Sequence, residues 1–127
     1  MDELTFELIA GTNQAHIATV LPDGAPHSVP VWAGLEGDHL VFITGPGSRK
    51  ARNVARDPRI ALSVTDRANP GRMATVRGSV ERVVDGEEGW AIVDRLAMKY
   101  IGMPYPRTDE RVAFLVKVGS ATSAAFG

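Results

Sequence analysis

The chain of 127 residues contains no cysteine, which excludes disulfide bonds, cysteine nucleophiles and cysteine-ligated metals. It also lacks any run close to the ~18 consecutive apolar residues that mark a transmembrane helix. The first residues, Met1 to Leu4, are acidic rather than basic, unlike a signal peptide. We therefore expect a cytoplasmic protein with no membrane partner, folded as one domain over residues 1–127.

Aromatic residues and net charge are both scarce. The chain has two tryptophans, two tyrosines and four phenylalanines, with a formal net charge of -1 and a pI near 6.3. A nucleic-acid-binding domain is typically basic and uses aromatic residues for base stacking. His16, His27 and His39 have no metal-ligand spacing. We expect neither a nucleic-acid partner nor a metal, and the serine-hydrolase, P-loop and dinucleotide motifs are missing.

Positive charge is concentrated in one segment, residues 48–58. The segment follows a glycine-rich turn, begins at Ser48, a favourable N-cap, and ends at Pro58, which predicts a short helix. Its basic residues, with the one that follows, are Arg49, Lys50, Arg52, Arg56 and Arg59. Free amides at a helix start favour anions, so a phosphate or carboxylate site is indicated. The alternative is a helix that packs on the fold through one apolar face and keeps its cations in water.

Short apolar segments separated by turn signals predict a mainly β fold with short helices. The predicted strands are residues 16–21, 26–35, 39–44, 59–65, 73–84 and 111–118, with helices at 2–10, 48–57 and 85–99. Pro30 cannot donate to a ladder and marks an edge or a bulge, and Gly78 marks a bulge or a close approach. The tail, 119–127, is expected to be irregular. Hairpin turns between short strands favour an antiparallel barrel over βαβ units.

The order of these segments resembles one family. Gly-x-Pro-x-x-x-Pro-Val-Trp at 24–32 precedes an apolar strand ending in threonine, Gly-Ser-x-Lys-x-x-Asn at 47–53 and Asp-Pro-Arg at 57–59. This order resembles the split-barrel flavin and deazaflavin oxidoreductases, the relatives of pyridoxamine 5′-phosphate oxidase. Within them the chain is most similar to the small enzymes that use coenzyme F420, a deazaflavin. The resemblance extends from about residue 16 to residue 78 and returns at 99–106.

The resemblance implies a fold, a partner and an activity. The fold would be a six-stranded antiparallel split β-barrel, also called the FMN-binding split barrel. Two subunits would form a homodimer with the cofactor sites at their interface. The activity would be that of an F420-dependent oxidoreductase, which transfers a hydride from the reduced cofactor to a small unsaturated or electrophilic substrate. The alternatives are an FMN-dependent oxidoreductase on the same fold and a non-catalytic cofactor-binding or carrier protein.

The resemblance also assigns residues to the cofactor. They are His27, Ser28, Pro30, Val31, Thr44, Ser48, Lys50, Arg52, Asn53, Arg72 and Met73. Those around the basic helix would hold the phosphate and the ribityl-like chain, and strand 27–31 would lie along the tricyclic ring. Arg72 and Met73 would approach from the partner subunit. The catalytic residue stays unknown, with His27 and Tyr100 as the candidate proton donors.

Overall fold

Residues 1–126 of the chain are described by a computed structural model with seven strands and three helices. The strands are β1 (Ala15–Val20), β2 (Pro26–Val31), β3 (Ala33–Glu36), β4 (His39–Thr44), β5 (Arg59–Thr65), β6 (Arg72–Val84) and β7 (Val112–Ala125). The helices are α1 (Glu3–Ala10), α2 (Arg49–Arg56) and α3 (Gly86–Ile101). Among these helices, none is both long and apolar enough to cross a membrane.

One antiparallel sheet contains all the strands, in the order β2-β1-β5-β6-β7-β4-β3. The two edge strands, β2 and β3, are consecutive in the chain and are separated only by Trp32. Adjacent Cα atoms lie ~3.8 Å apart, so a one-residue connection brings the two edges together and forces the sheet to curl. We call residues 30–33 the seam. The predicted antiparallel split barrel, mainly β with short helices, is confirmed.

The strand count differs from the prediction. The segment 26–35 was expected to be one strand of six, but the backbone breaks at Trp32, where the chain crosses from one edge of the curled sheet to the other. The prediction of an irregular tail was wrong for residues 119–125. β7 continues to Ala125 because β6 supplies a partner along its whole length, as far as the pair Arg72 and Ala125. Gly127, also in that predicted tail, lies outside the described residues.

Both backbone irregularities that the sequence indicated occur. Pro30 lies on β2, an edge strand, which is where a residue that cannot donate to the ladder is tolerated. The register between β6 and β7 shifts between Arg77 and Gly78. A Cβ at Gly78 would lie 2.3 Å from the carbonyl oxygen of Lys117, closer than any side chain tolerates. The bulge therefore requires glycine at this position.

Two apolar layers share strands β4 and β7. Inside the curled sheet, the rings of Phe42 and Phe114 stack with centroids 4.9 Å apart. On the outer face of the same strands, α3 covers Val41 and Leu115. Because β4 is buried on both faces, it reads as a continuous apolar run rather than an alternating one. The end of β4 is thereby fixed in space, beside the seam.

Replacement of Gly78 with alanine tests the close approach of β6 to β7. The added methyl group meets backbone, which cannot move aside as a flexible side chain would. We expect the free energy of unfolding to fall by about 1–3 kcal/mol in urea titrations. Gly47→Ala is the matched control, since a Cβ there meets nothing within 4 Å. Equal stability of the two variants would contradict the bulge geometry.

Candidate functional site

A cavity opens beside the seam, where the two edge strands, β2 and β3, diverge from each other. Its volume is about 270 Å³. One wall comes from the seam, one from the end of β4, one from the first turn of α2, and one from the end of α3 with the loop that follows it. The lining residues are Gln14, Pro30, Val31, Trp32, Ile43, Thr44, Lys50, Tyr100, Tyr105 and Arg111. We call this the seam cavity.

The seam cavity is not the largest hollow in the described part of the chain. A hollow of about 650 Å³ lies between α1, the β3–β4 turn and β7. Its lining includes the carboxylates of Asp2 and Asp38 and no lysine or arginine. The seam cavity is lined by two cations and no carboxylate. The smaller cavity therefore offers the chemistry that the basic segment of the sequence indicated.

The first turn of α2 holds hydrogen-bond donors beside this cavity. Ser48 caps the helix, and its Oγ accepts from the amide of Ala51 at 3.2 Å and from Oγ1 of Thr44 at 3.1 Å. Both lone pairs of Ser48 are then used, and its own proton remains for a ligand. The amides of Arg49 and Lys50 have no acceptor within residues 1–126. This arrangement is typical of an anion site at a helix start.

Lys50, on α2, and Arg111, in the loop before β7, bring two positive charges to the cavity. Burial, and then the charge of Arg111, lower the pKa of Lys50 from its usual range. The guanidinium of Arg111 is held by its own environment: Nε donates to the hydroxyl of Tyr105 at 3.0 Å, and Nη1 donates to the carbonyl of Glu110 at 2.8 Å. Neither cation forms an ion pair within the described residues. A bound anion would offset the cost of both charges.

Three aromatic side chains form the apolar wall. The rings of Trp32 and Tyr100 stack with centroids 5.2 Å apart and planes 4° apart. Tyr105 meets Trp32 edge to face at 5.7 Å. Asp94 on α3 holds the loop that carries Tyr105, since it accepts from the Tyr105 amide at 3.0 Å and from Arg107 at 2.8 Å. The aromatic wall is therefore fixed before any ligand arrives.

The hydroxyl of Tyr100 forms hydrogen bonds to the protein backbone. It donates to the carbonyl of Asn13 at 2.9 Å and accepts from the amide of Ala33 at 3.2 Å. Burial raises the pKa of Tyr100. The neighbouring Lys99 donates through Nζ to the carbonyls of Ile9, at 3.0 Å, and Ala33. These two residues fasten the end of α3 to the seam, and Tyr100 presents its ring to the cavity.

Five of the residues that the sequence singled out meet at this cavity: Pro30, Val31, Thr44, Lys50 and Tyr100. Ser48 adjoins it through its bond to Thr44. His27 and Ser28 lie further along β2 and do not line the cavity. His27 shares the inward face of that strand, and its Nδ1 is buried without a partner in the described residues.

Four others lie apart from the cavity. Asn53, 0% exposed, faces β1, where its amide donates to Oγ1 of Thr19 at 3.0 Å and fastens α2 to the sheet. Arg52 is exposed on the other side of α2. Arg72 pairs with Glu7 at 2.7 Å and with Asp66 at 3.2 Å at the start of β6. Met73 is exposed beside it.

Sequence reasoning missed half of the lining. The residues it did not select are Gln14, Trp32, Ile43, Tyr105 and Arg111. Trp32 packs in the outer layer as well as at the cavity. Tyr105 lies between Pro104 and Pro106 in an irregular loop, and Arg111 begins the predicted strand 111–118, so no local pattern directs either side chain to the cavity. The tertiary fold alone brings them to the same cavity as Lys50.

Comparisons with known proteins agree with this architecture. The model of the pyridoxamine 5′-phosphate oxidase family matches residues 1–122. The chain belongs to that family. The membership confirms the split-barrel resemblance and makes this chain part of a family of flavin-type oxidoreductases.

Individual relatives differ in what their names say. An F420 reductase structure is similar with a TM-score of 0.80 and 31% identity, covering 91% of this chain and 94% of the reductase. A pyridoxine/pyridoxamine 5′-phosphate oxidase of Azorhizobium caulinodans is 36% identical over 71% of this chain, which spans only 42% of that enzyme. An FMN-binding protein of Nitratidesulfovibrio vulgaris is 34% identical over 68% of this chain and 78% of its own length.

Tyr100→Phe separates the hydroxyl of Tyr100 from its ring. The substitution keeps the stack on Trp32 and leaves the carbonyl of Asn13 and the amide of Ala33 without their partner. We expect the free energy of unfolding to fall by about 1–3 kcal/mol, measured in urea. Cofactor affinity should change less than twofold. A stable variant that loses only turnover would instead identify the hydroxyl as a proton donor.

Lys99 should make stability depend on pH. Burial lowers its pKa to about 8, whereas a lysine in the unfolded chain titrates near ~10.4. Between those values the unfolded chain binds more protons, so stability rises with pH and is lost as pH falls through about 8. From pH ~7.5 to ~9.5, wild type should gain about 1 kcal/mol or less over Lys99→Met, because water screens the exposed part. A constant difference in urea unfolding would contradict this.

Proposed function

We propose that this chain is an F420-dependent oxidoreductase that transfers a hydride from the reduced cofactor to a small unsaturated or electrophilic molecule. The observation that carries the proposal is the pair Lys50 and Arg111, beside the first turn of α2 in a cavity without carboxylates. Within residues 1–126 neither cation forms an ion pair. The similarity to an F420 reductase along nearly the whole of both chains supports the choice of cofactor.

The phosphate of the cofactor is assigned to the first turn of α2. Lys50 supplies the charge, and the free proton of Ser48 and the amides of Arg49 and Lys50 supply the directional contacts. Thr44 orients Ser48 from the end of β4. Arg52, on the exposed side of α2, would meet the polyglutamate tail of F420, and Asn53 would keep the helix in place through Thr19.

The ring of the cofactor is assigned to the open edge of β2. Pro30 and Val31 line the cavity from that edge, and the backbone groups there have no strand partner beyond β1. His27 and Ser28 extend the same strand. The donor set therefore fits a phosphate-bearing tricyclic cofactor. When bound, that cofactor supplies the hydride, and the protein contributes position and the exclusion of water.

We further propose a homodimer with the sites at the subunit interface. One side of the seam cavity is open, and a second subunit would close it over the ring. Arg72 and Met73 would enter the partner's site from the start of β6, where Glu7 and Asp66 already fix the direction of Arg72. A small-molecule substrate would then be enclosed between the two subunits.

FMN is the second candidate cofactor, favoured by the similarity to an FMN-binding protein. Its phosphate would use the same donors on α2. Since that relative's name describes binding and not turnover, a non-catalytic carrier on the same fold is a third possibility. Cofactor preference and turnover distinguish the three, because a carrier binds the coenzyme but reduces no acceptor.

Lys50→Ala tests the phosphate assignment. A charge-assisted contact contributes about 1.5–3 kcal/mol, so the Kd for F420 should rise at least tenfold. The melting temperature should stay unchanged, because Lys50 forms no ion pair within the described residues. The measurement is a fluorescence titration with F420 and, in parallel, with FMN.

Lys117→Ala is the matched control, since Lys117 is an exposed lysine on β7 that does not line the cavity. Tight binding of F420 with weak binding of FMN supports the proposal. Tighter binding of FMN than of F420 would support the FMN-dependent alternative instead. Unchanged affinity in Lys50→Ala would remove the phosphate assignment. If wild type binds neither cofactor, the proposed function fails.

A further inference from the structure

We propose that the seam cavity recognises a planar conjugated carboxylate, whose acid group binds Arg111 and whose flat apolar part lies against Trp32, Tyr100 and Tyr105. This inference rests on the proposed function, because it names the substrate class of the same site. It divides the two cations between two ligands. Lys50, on α2, serves the cofactor phosphate, and Arg111, in the loop before β7, serves the substrate.

The charge balance of the cavity supports an anionic ligand. Arg72, another half-buried arginine, pairs with both Glu7 and Asp66. Arg111 is half-buried as well, yet within residues 1–126 no carboxylate pairs with it. A partly desolvated cation without a partner destabilises the fold, and that cost is recovered when an anion binds. The cavity therefore favours anionic ligands over neutral ones, whatever other contacts the ligand makes.

The geometry of Arg111 favours a carboxylate. Tyr105 occupies its Nε and the carbonyl of Glu110 occupies one proton of Nη1. Nη2 has no acceptor in the described part of the chain. One edge of the guanidinium is thus free for the two oxygens of a carboxylate, the arrangement in which arginine binds most specifically. The bond to Tyr105 keeps that edge oriented.

The walls favour a flat molecule of modest size. Trp32 and Tyr100 are parallel to within 4°, with Tyr105 at 74° to Trp32, so the apolar surface has fixed planes. Conjugated ligands stack on such surfaces better than saturated ones of equal volume. A volume of about 270 Å³ is slightly below the usual range of ligand sites, which suits a small acid.

One contact supports a competing assignment. Nη1 of Arg111 lies 3.4 Å from the position that a Cβ would take at Gly45, in the turn that leads to Ser48. Arg111 could therefore share the cofactor phosphate with Lys50. The two assignments differ in one measurable respect. Loss of Arg111 affects only the carboxylate ligand in the first, and it affects the cofactor as strongly as loss of Lys50 in the second.

Calorimetric titration of the full chain, with and without F420, tests the proposal. The probes are trans-cinnamate, its neutral amide trans-cinnamamide and the non-planar 3-cyclohexylpropanoate. We expect cinnamate to bind at least tenfold more tightly than either analogue. Arg111→Gln should raise the cinnamate Kd at least tenfold and leave the amide unchanged. Arg77→Gln is the matched control, since it removes the same charge from the exposed face of β6, away from the cavity.

A second variant covers the case in which Arg111→Gln fails to fold. Tyr105→Phe keeps the arginine and the aromatic wall but removes the acceptor of Nε. It should weaken cinnamate severalfold and leave F420 binding unchanged. Equal affinity of wild type for cinnamate and cinnamamide would overturn the proposal, and so would a loss of F420 affinity in Arg111→Gln as large as that in Lys50→Ala.

The outcomes keep this inference separate from the proposed function. Binding of F420 without binding of cinnamate, in the free or the loaded protein, overturns the substrate class and leaves the oxidoreductase intact. Binding of cinnamate that depends on Arg111, without binding of F420 or FMN, supports the carboxylate site and removes the oxidoreductase.

Discussion

The one-residue connection at Trp32 is the constraint on which the rest of the structure depends. It ties together two strands that lie at opposite edges of a seven-stranded sheet. Everything else follows from that closure: the interior becomes a core, the outer face of β4 and β7 needs α3 as a cover, and the edges part again to leave a cavity. The candidate site is a consequence of how the barrel closes.

Polar contacts at the end of α3 keep that closure in place. Tyr100 and Lys99 both reach the backbone of Ala33, the first residue after the connection, and extend to Asn13 and Ile9 on the other side. The same Tyr100 ring forms part of the cavity wall. Stability of the barrel and shape of the site are therefore properties of the same side chains, and changes in one affect the other.

Local chemistry determines the features that the sequence allowed us to predict. Ser48 and Pro58 bound α2, Pro30 marks an edge strand, and Gly78 marks the bulge, because each acts through its own backbone. The break at Trp32 leaves no such signal, since it reflects which strands pair at long range. The small residues after Gly119 give no local signal either, because they form a strand only where β6 lies beside them.

The residues that line the cavity divide in the same way, into those with a local sequence signal and those without one. Lys50 was found from a run of cations, whereas Arg111 and Tyr105 stand in an irregular loop whose direction is set by Asp94, on a different element. The role of a side chain in such a loop can be inferred only when the tertiary structure shows which other site residues lie near it. Local sequence patterns therefore indicated one wall of the site and not the other.

The topology around Trp32 also bears on the order of folding. β1 with β2, and β3 with β4, are hairpins whose strands are neighbours in sequence, and Trp32 is the hinge between them. The ring closes only through β5, β6 and β7, which join the two hairpins from the far side. Loop-closure entropy favours the local hairpins first and the β4–β7 pairing last. The cavity therefore does not exist until the final, long-range step of assembly.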